Sequence, residues 1–177
     1  MKRFSVRQTV LAGLFSALMA VFSQVALPLP GTGVPLTLQT FGVALCGFIC
    51  GPLIGSCALG TYLLLGAVGI PVFSHFKGGV ATFLGPTGGF LWGFLLLVFF
   101  CGLGGHCLRR PSGWLLSAFG LLLCHISGAF QYALISGIGL WPALLSVSIP
   151  FLFKDGICVV LAGGAASVLR RISALRL

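Results

Sequence analysis

What most constrains this chain is a recurrence of apolar stretches long enough to cross a lipid bilayer. They cover residues 9–27, 41–70, 87–108, 114–138 and 143–169. A spanning helix needs about 20 predominantly apolar residues, and a chain carrying several such runs has to solve its folding problem in lipid. Composition agrees. Only 6% of the residues are charged, against about 25% in a soluble domain, and the mean hydropathy is +1.17. Too little polar surface is left to coat a globule in water.

Charge placement sets the expected topology. Lys2, Arg3 and Arg7 precede the first stretch, Arg109 and Arg110 follow the third, and Arg170, Arg171 and Arg176 follow the last. These are eight of the ten basic residues. Basic residues accumulate on the cytoplasmic side of a membrane, so all three clusters are expected there. Residues 41–70 decide the count. As one helix they would strand Arg109 and Arg110 outside. A reversal at Gly51-Pro52 brings every cluster inside, because Pro breaks a helix and Gly permits the turn. The expectation is one all-α integral membrane domain over residues 1–177 in the cell inner or plasma membrane. Its six spans are 9–27, 41–51, 53–70, 87–108, 114–138 and 143–169, with both termini cytoplasmic. Membrane lipid is then its surroundings, and no soluble face remains to bind nucleic acid.

The start of the chain also has marks of a signal peptide: a basic opening, an apolar run and small residues near 23–26. The run is longer than a usual signal core. Gly13 with Ala17, and Ala12 with Ser16, place small residues at four-residue spacing. That pattern suits a retained helix that meets a partner closely. Gly47, Gly51 and Gly55 repeat at the same spacing and read as helix packing. The loops expected outside, 28–40, 71–86 and 136–142, are longer than the inner turns at 51–52 and 107–113. Irregular backbone at membrane depth survives only where protein or a water-filled cavity covers it. Two such loops on one side point to a pocket that faces outward.

Asp155 is the only acidic residue. A carboxylate within a span costs about 2.5–3.5 kcal/mol on insertion scales, so it needs a reason to be there. One reading is an interfacial ion pair with Lys154 or a helix N-cap. The other is a ligand or coupling role. Residues i and i+1 do not share a helix face, which favours Lys154 and Asp155 each meeting a different group. A lone acid argues against paired-carboxylate catalysis and weakens a Mg²⁺ site. No G-x-x-x-x-G-K-[ST] motif occurs, so ATP binding through a P-loop on this chain is not expected. The seven Cys form no C-x-x-C pair, and no metal site is expected. His75 is placed in an outer loop within reach of a ligand and His106 at the interface. His125, inside a span, is expected to bond to neighbouring backbone. Gln131 and Tyr132 point to different sides of the fifth span, so that one of them reaches a pocket.

Three ordered motifs then carry a resemblance. They are Val34-Pro35-Leu36-Thr37-Leu38-Gln39-Thr40, Leu63-Leu64-Leu65-Gly66-Ala67-Val68-Gly69-Ile70-Pro71-Val72-Phe73 and Gly85-Pro86-Thr87-Gly88-Gly89-Phe90. Together they closely resemble the BioY family, the biotin-binding S components of energy-coupling factor (ECF) transporters. The likeness runs in order from the first span to Gly93 and, more weakly, through Pro150-Phe151-Leu152 and Asp155. It implies an S-component bundle of six helices. It also implies that the first helix, with Ala12, Gly13, Ser16 and Ala17, contacts a transmembrane coupling subunit. Two ATPase subunits would hold the ATP, with no cofactor on this chain. The sequence departs from the family where a Lys follows the Asp by three residues: that position is Cys158. The nearby cation is Lys154, expected to take over part of the lost role.

The resemblance sets the ligand expectations. Biotin has a ureido ring with two N–H donors and one acceptor, a sulfur ring and a carboxylate tail. Asp155 is expected to accept from a ureido N–H, with Gln39 and Thr37 completing that end. Lys154 or Lys77 meets the carboxylate, Phe73 and Tyr132 cover the rings, and loop 28–40 closes over them. Alternatives are an S component for another vitamin or small carboxylate, a solitary biotin carrier without ATPases, a membrane enzyme, or a structural membrane protein.

Overall fold

The computed structural model describes residues 5–28, 33–108 and 110–171. Lys2, Arg3, Arg109 and Arg176 of the basic clusters, and positions 29–32 of the first loop, lie outside the described residues. The described chain forms α1 (Val6–Gln24), a two-stranded ribbon of β1 (Ala26–Leu27) and β2 (Leu36–Thr37), and then α2 (Gln39–Ala67). After these come α3 (Val80–Leu84), α4 (Gly88–Gly105), α5 (Pro111–Ser136), α6 (Leu140–Val147) and α7 (Ile149–Arg171). Five of these helices, α1, α2, α4, α5 and α7, are long and apolar enough to cross a membrane. A capping box starts α1: the Gln8 N–H donates to the Ser5 hydroxyl and the Ser5 N–H donates to the Gln8 side chain.

α2 is two helical arms joined by a reversal. Gly51 sits at φ 77° and ψ 177°, inside an otherwise helical run, and Pro52 follows. The arms run back along one another. The Gln39 amide donates to the Tyr62 hydroxyl at 2.7 Å, whereas a straight helix would separate residues so far apart in sequence by about 35 Å. A Cβ on Gly55 would lie 3.4 Å from the Gly47 Cα.

The reversal leaves a carbonyl without its usual donor. In a continuous helix the Phe48 carbonyl accepts from residue 52, but Pro52 has no N–H. Arg170, in the last turn of α7, donates to that carbonyl and also to the carbonyl of Gly105, where α4 ends. One guanidinium thus satisfies two orphaned acceptors from different helices.

α4 packs against α2 on one side and α5 on the other, and α1 and α7 both pack against α2. Glycines allow the close approach. A Cβ on Gly47 would lie 2.5 Å from the Val98 carbonyl oxygen, and one on Gly93 would lie 2.8 Å from the Cys124 Cα.

Two expectations change here. The stretch 143–169 is not one helix: α6 ends at Val147 and α7 starts at Ile149. Pro150 is tolerated only in the first turn of a helix, so it ends one element and begins the next. The two small-residue stripes of α1 also part company. Ala12 packs against the core, and the buried Ser16 hydroxyl donates to the Ala58 carbonyl at 2.6 Å. Those two serve contact with α2. Gly13 and Ala17 are exposed, with nothing within 4 Å of a Cβ built on Gly13.

Candidate functional site

A cavity of about 160 Å³ opens at the end of the bundle that carries the ribbon. Its walls come from distant parts of the chain. The ribbon segment contributes Pro35 and Thr37, and the start of α2 contributes Gln39 and Thr40. Loop 70–79 contributes Phe73, His75 and Lys77. Phe90 and Phe94 of α4, Cys124 of α5, and Phe151, Lys154 and Asp155 of α7 line it too.

Each wall is held by identifiable bonds. β1 and β2 pair antiparallel, Ala26 with Thr37 and Leu27 with Leu36. The Gln24 side chain, at the end of α1, donates to the Phe73 carbonyl at 3.1 Å and accepts from the Phe76 N–H at 3.1 Å. Phe73 is buried edge-on between Tyr62 and Phe83, with ring centroids 5.5 and 5.4 Å away. It presses on Gly66, where a Cβ would lie 2.0 Å from the Phe73 Cζ. The motif around Leu63–Phe73 is therefore a packing device that seats an aromatic ring in the cavity wall. Gly88 and Gly89 do the same for α4. Cβ atoms there would lie 1.9 Å from the Phe83 carbonyl oxygen and 2.3 Å from that of Ser127.

The polar groups form two sets. In the first, the Thr37 hydroxyl donates to the Gln39 side-chain oxygen at 3.2 Å, the Gln39 amide donates to Tyr62, and the Tyr62 hydroxyl donates to the Val72 carbonyl at 3.1 Å. Gln39 retains one amide hydrogen beyond that chain. The second set is centred on Asp155, 6% exposed. Its Oδ1 pairs with the Lys154 ammonium, and its Oδ2 lies 3.4 Å from His125 Nε2. Lys154 also donates to the Thr37 carbonyl at 2.7 Å, tying α7 to the ribbon. The two sets thus meet at Thr37.

Several sequence expectations are corrected by this arrangement. Lys154 and Asp155 pair after all, because the lysine's four-carbon stem can swing across the helix face that spacing alone would keep apart. Each still meets another group as well, Thr37 and His125 respectively. Asp155 lies well inside α7 and is no N-cap. Tyr132 does not line the cavity; it is buried in a second cluster with Val34, Ala143 and Val147. Gln131 is structural too, its amide donating to the Gly85 carbonyl at 2.9 Å. The His125 ring does not bond to backbone among the described residues; its own carbonyl accepts from the Ser148 hydroxyl. Thr37, Gln39, Phe73, Lys77, Lys154 and Asp155 all line the cavity. Cys158 is buried and does not. The described residues contain no cluster of three or more metal-ligating side chains.

Residues 1–174 match the model of the BioY family. The chain belongs to that family. The biotin transporter BioY of Thermotoga maritima is 42% identical over 127 residues, covering 71% of this chain and 73% of its relative. The probable biotin transporter BioY of Pyrococcus horikoshii is 37% identical over 166 residues, covering 94% and 96%. A crystal structure described as the S-component for biotin from an ECF-type ABC transporter superposes with a TM-score of 0.86 at 26% identity, covering 94% of this chain and 92% of that one. This BioY-family chain is thus a multi-pass membrane protein with the S-component fold, among relatives that are transporters and not enzymes.

Proposed function

We propose that this chain captures biotin from outside the cell and delivers it to the cytoplasm as the substrate-binding subunit of an ECF-type transporter. The observation that carries the reading is the pair of buried Asp155 with half-buried Lys154, set beside Thr37 and Gln39 in an aromatic cavity, in a chain whose relatives are named biotin transporters. In the plasma membrane the two arms of α2 count as separate crossings, which makes six and leaves both termini cytoplasmic. The cavity then faces outward.

One ureido N–H, the ureido oxygen and the carboxylate tail of biotin each have a counterpart. Asp155 accepts from a ureido N–H, and the spare amide hydrogen of Gln39 reaches the ureido oxygen. Thr37 orients Gln39 through its hydroxyl. Lys154 turns from Thr37 to meet the carboxylate tail, with Lys77 at the rim as the second cation. In this way Lys154 supplies the positive charge that Cys158 does not. Phe73, Phe90 and Phe151 cover the rings. Complete pairing matters because a buried polar group left unsatisfied costs about 1–3 kcal/mol.

The exposed Gly13–Ala17 stripe of α1 is the surface offered to a transmembrane coupling subunit. Energy comes from ATP on two partner ATPase subunits, with no cofactor held by this chain. The test is uptake of labelled biotin by cells lacking their own uptake system, with and without the coupling and ATPase subunits. Uptake that needs all the subunits is expected. Uptake by this chain alone would identify a solitary carrier, and no uptake in any combination would overturn the reading.

A further inference from the structure

We infer that His125 is a positioning residue for the ligand site: it anchors Oδ2 of Asp155, so that the carboxylate, paired with Lys154 through Oδ1, keeps its plane toward the cavity. The inference rests on the biotin reading and goes beyond it, because His125 does not itself line the cavity.

Three observations converge on this imidazole. It is buried, with its side chain 4% exposed, and neither ring nitrogen has a hydrogen-bond partner among the described residues. Its Nε2 stands 3.4 Å from Asp155 Oδ2, a gap that a small movement of either side chain closes to a hydrogen bond. Its place is fixed by two neighbours. Phe90, a cavity-wall residue, meets the ring edge-on at 5.9 Å, and the Ser148 hydroxyl donates to the His125 carbonyl at 3.2 Å. A buried imidazole with no other partner has one group to serve, and that group is Asp155.

The consequence concerns how the carboxylate divides its oxygens. Oδ2 turns toward His125 on α5, while Oδ1 faces Lys154. Held from both sides, the carboxylate plane is fixed, and the free lone pair on Oδ1 keeps one direction for a ligand N–H. With His125 gone, the donors left beside the carboxylate are Lys154 and the Thr40 hydroxyl, and nothing holds Oδ2 on the α5 side. Oδ2 is then free to turn to the ammonium beside Oδ1, and the chelated pair is withdrawn from the ligand. His125 thus keeps Lys154 available for the Thr37 carbonyl and an incoming anion.

The test uses the full chain purified in detergent. His125→Phe keeps a ring against Phe90 and removes the donor; His125→Gln restores an N–H. Biotin affinity is expected to fall roughly 10- to 100-fold in His125→Phe and to recover most of that loss in His125→Gln. In an Asp155→Asn background His125→Phe is expected to weaken binding no further, since the two residues act as one unit. A packing role would instead give additive losses and no rescue by Gln. A second readout needs no ligand. The ring ¹⁵N signals of His125, assigned by their loss in His125→Gln, are expected to move on Asp155→Asn. Unmoved signals, or full biotin affinity in His125→Phe, overturn the inference. Moved signals in a chain that fails to bind biotin would uphold the His125–Asp155 coupling and overturn the biotin reading instead. If His125→Phe does not fold, His125→Gln and the ¹⁵N signals decide.

Discussion

The two ends of the bundle both break helices, and they settle the broken backbone in opposite ways. At the end marked by Gly51, the reversal frees the Phe48 carbonyl and the end of α4 frees that of Gly105, and Arg170 takes both. At the end marked by Thr37, the polar groups retain spare capacity. Among the described residues, Asp155 Oδ1 closes no hydrogen bond of good geometry, the His125 ring nitrogens stand unbonded, and Gln39 keeps an amide hydrogen beyond its bond to Tyr62. In a low-dielectric interior a satisfied group is scaffold, whereas an unsatisfied one is costly unless something else completes it. The difference marks one end as scaffold and supports the proposed ligand capture at the other.

Substitutions should separate the two ends. The largest effect is expected from Asp155→Asn, which removes the charge proposed to meet a ureido N–H and leaves Lys154 without its counter-ion. Biotin affinity should drop about 100-fold or more, read by titration calorimetry, with the fold intact by melting temperature. Lys154→Ala comes next, at about 10-fold on affinity, and Cys158→Lys in that background should restore part of it. An unchanged affinity in Lys154→Ala would remove Lys154 from the site. Arg170→Ala should do the converse: a stability loss of about 1–3 kcal/mol as two carbonyls lose their donor, with biotin affinity unchanged. A large affinity loss there would erase the contrast between the ends. The smallest effect is expected from Tyr132→Phe, which keeps the ring packed in its cluster with Val34 and Phe151 behind the cavity wall and should leave binding as it is.

The reversal at Gly51-Pro52 was legible in the sequence because two independent signals met there, the chemistry of Pro and Gly and the placement of Arg109 and Arg110. Asp155 stood out because a lone carboxylate in an apolar chain needs a purpose. The break between α6 and α7 was hidden: hydropathy continues across Ser148, and Pro150 is compatible with a helix that has just begun. Tyr132 was misplaced because the rotation of α5 is set by how tightly Gly88 and Gly89 let α4 approach, which no local pattern records. For the same reason the two stripes of α1 looked equivalent until packing turned Ser16 toward Ala58 and left Gly13 outside. His125 was visible only as an isolated polar group, since its partner comes from another helix. Arg170 read as a topology marker because the carbonyls it caps belong to α2 and α4.

The most direct test is equilibrium binding of biotin to the purified chain alone in detergent, with thiamine and riboflavin as controls. The account predicts one saturable site for biotin, no comparable binding of the controls, and a large loss of affinity at that site in Asp155→Asn. A folded chain that does not bind biotin, or that binds it equally well without the Asp155 carboxylate, would contradict it.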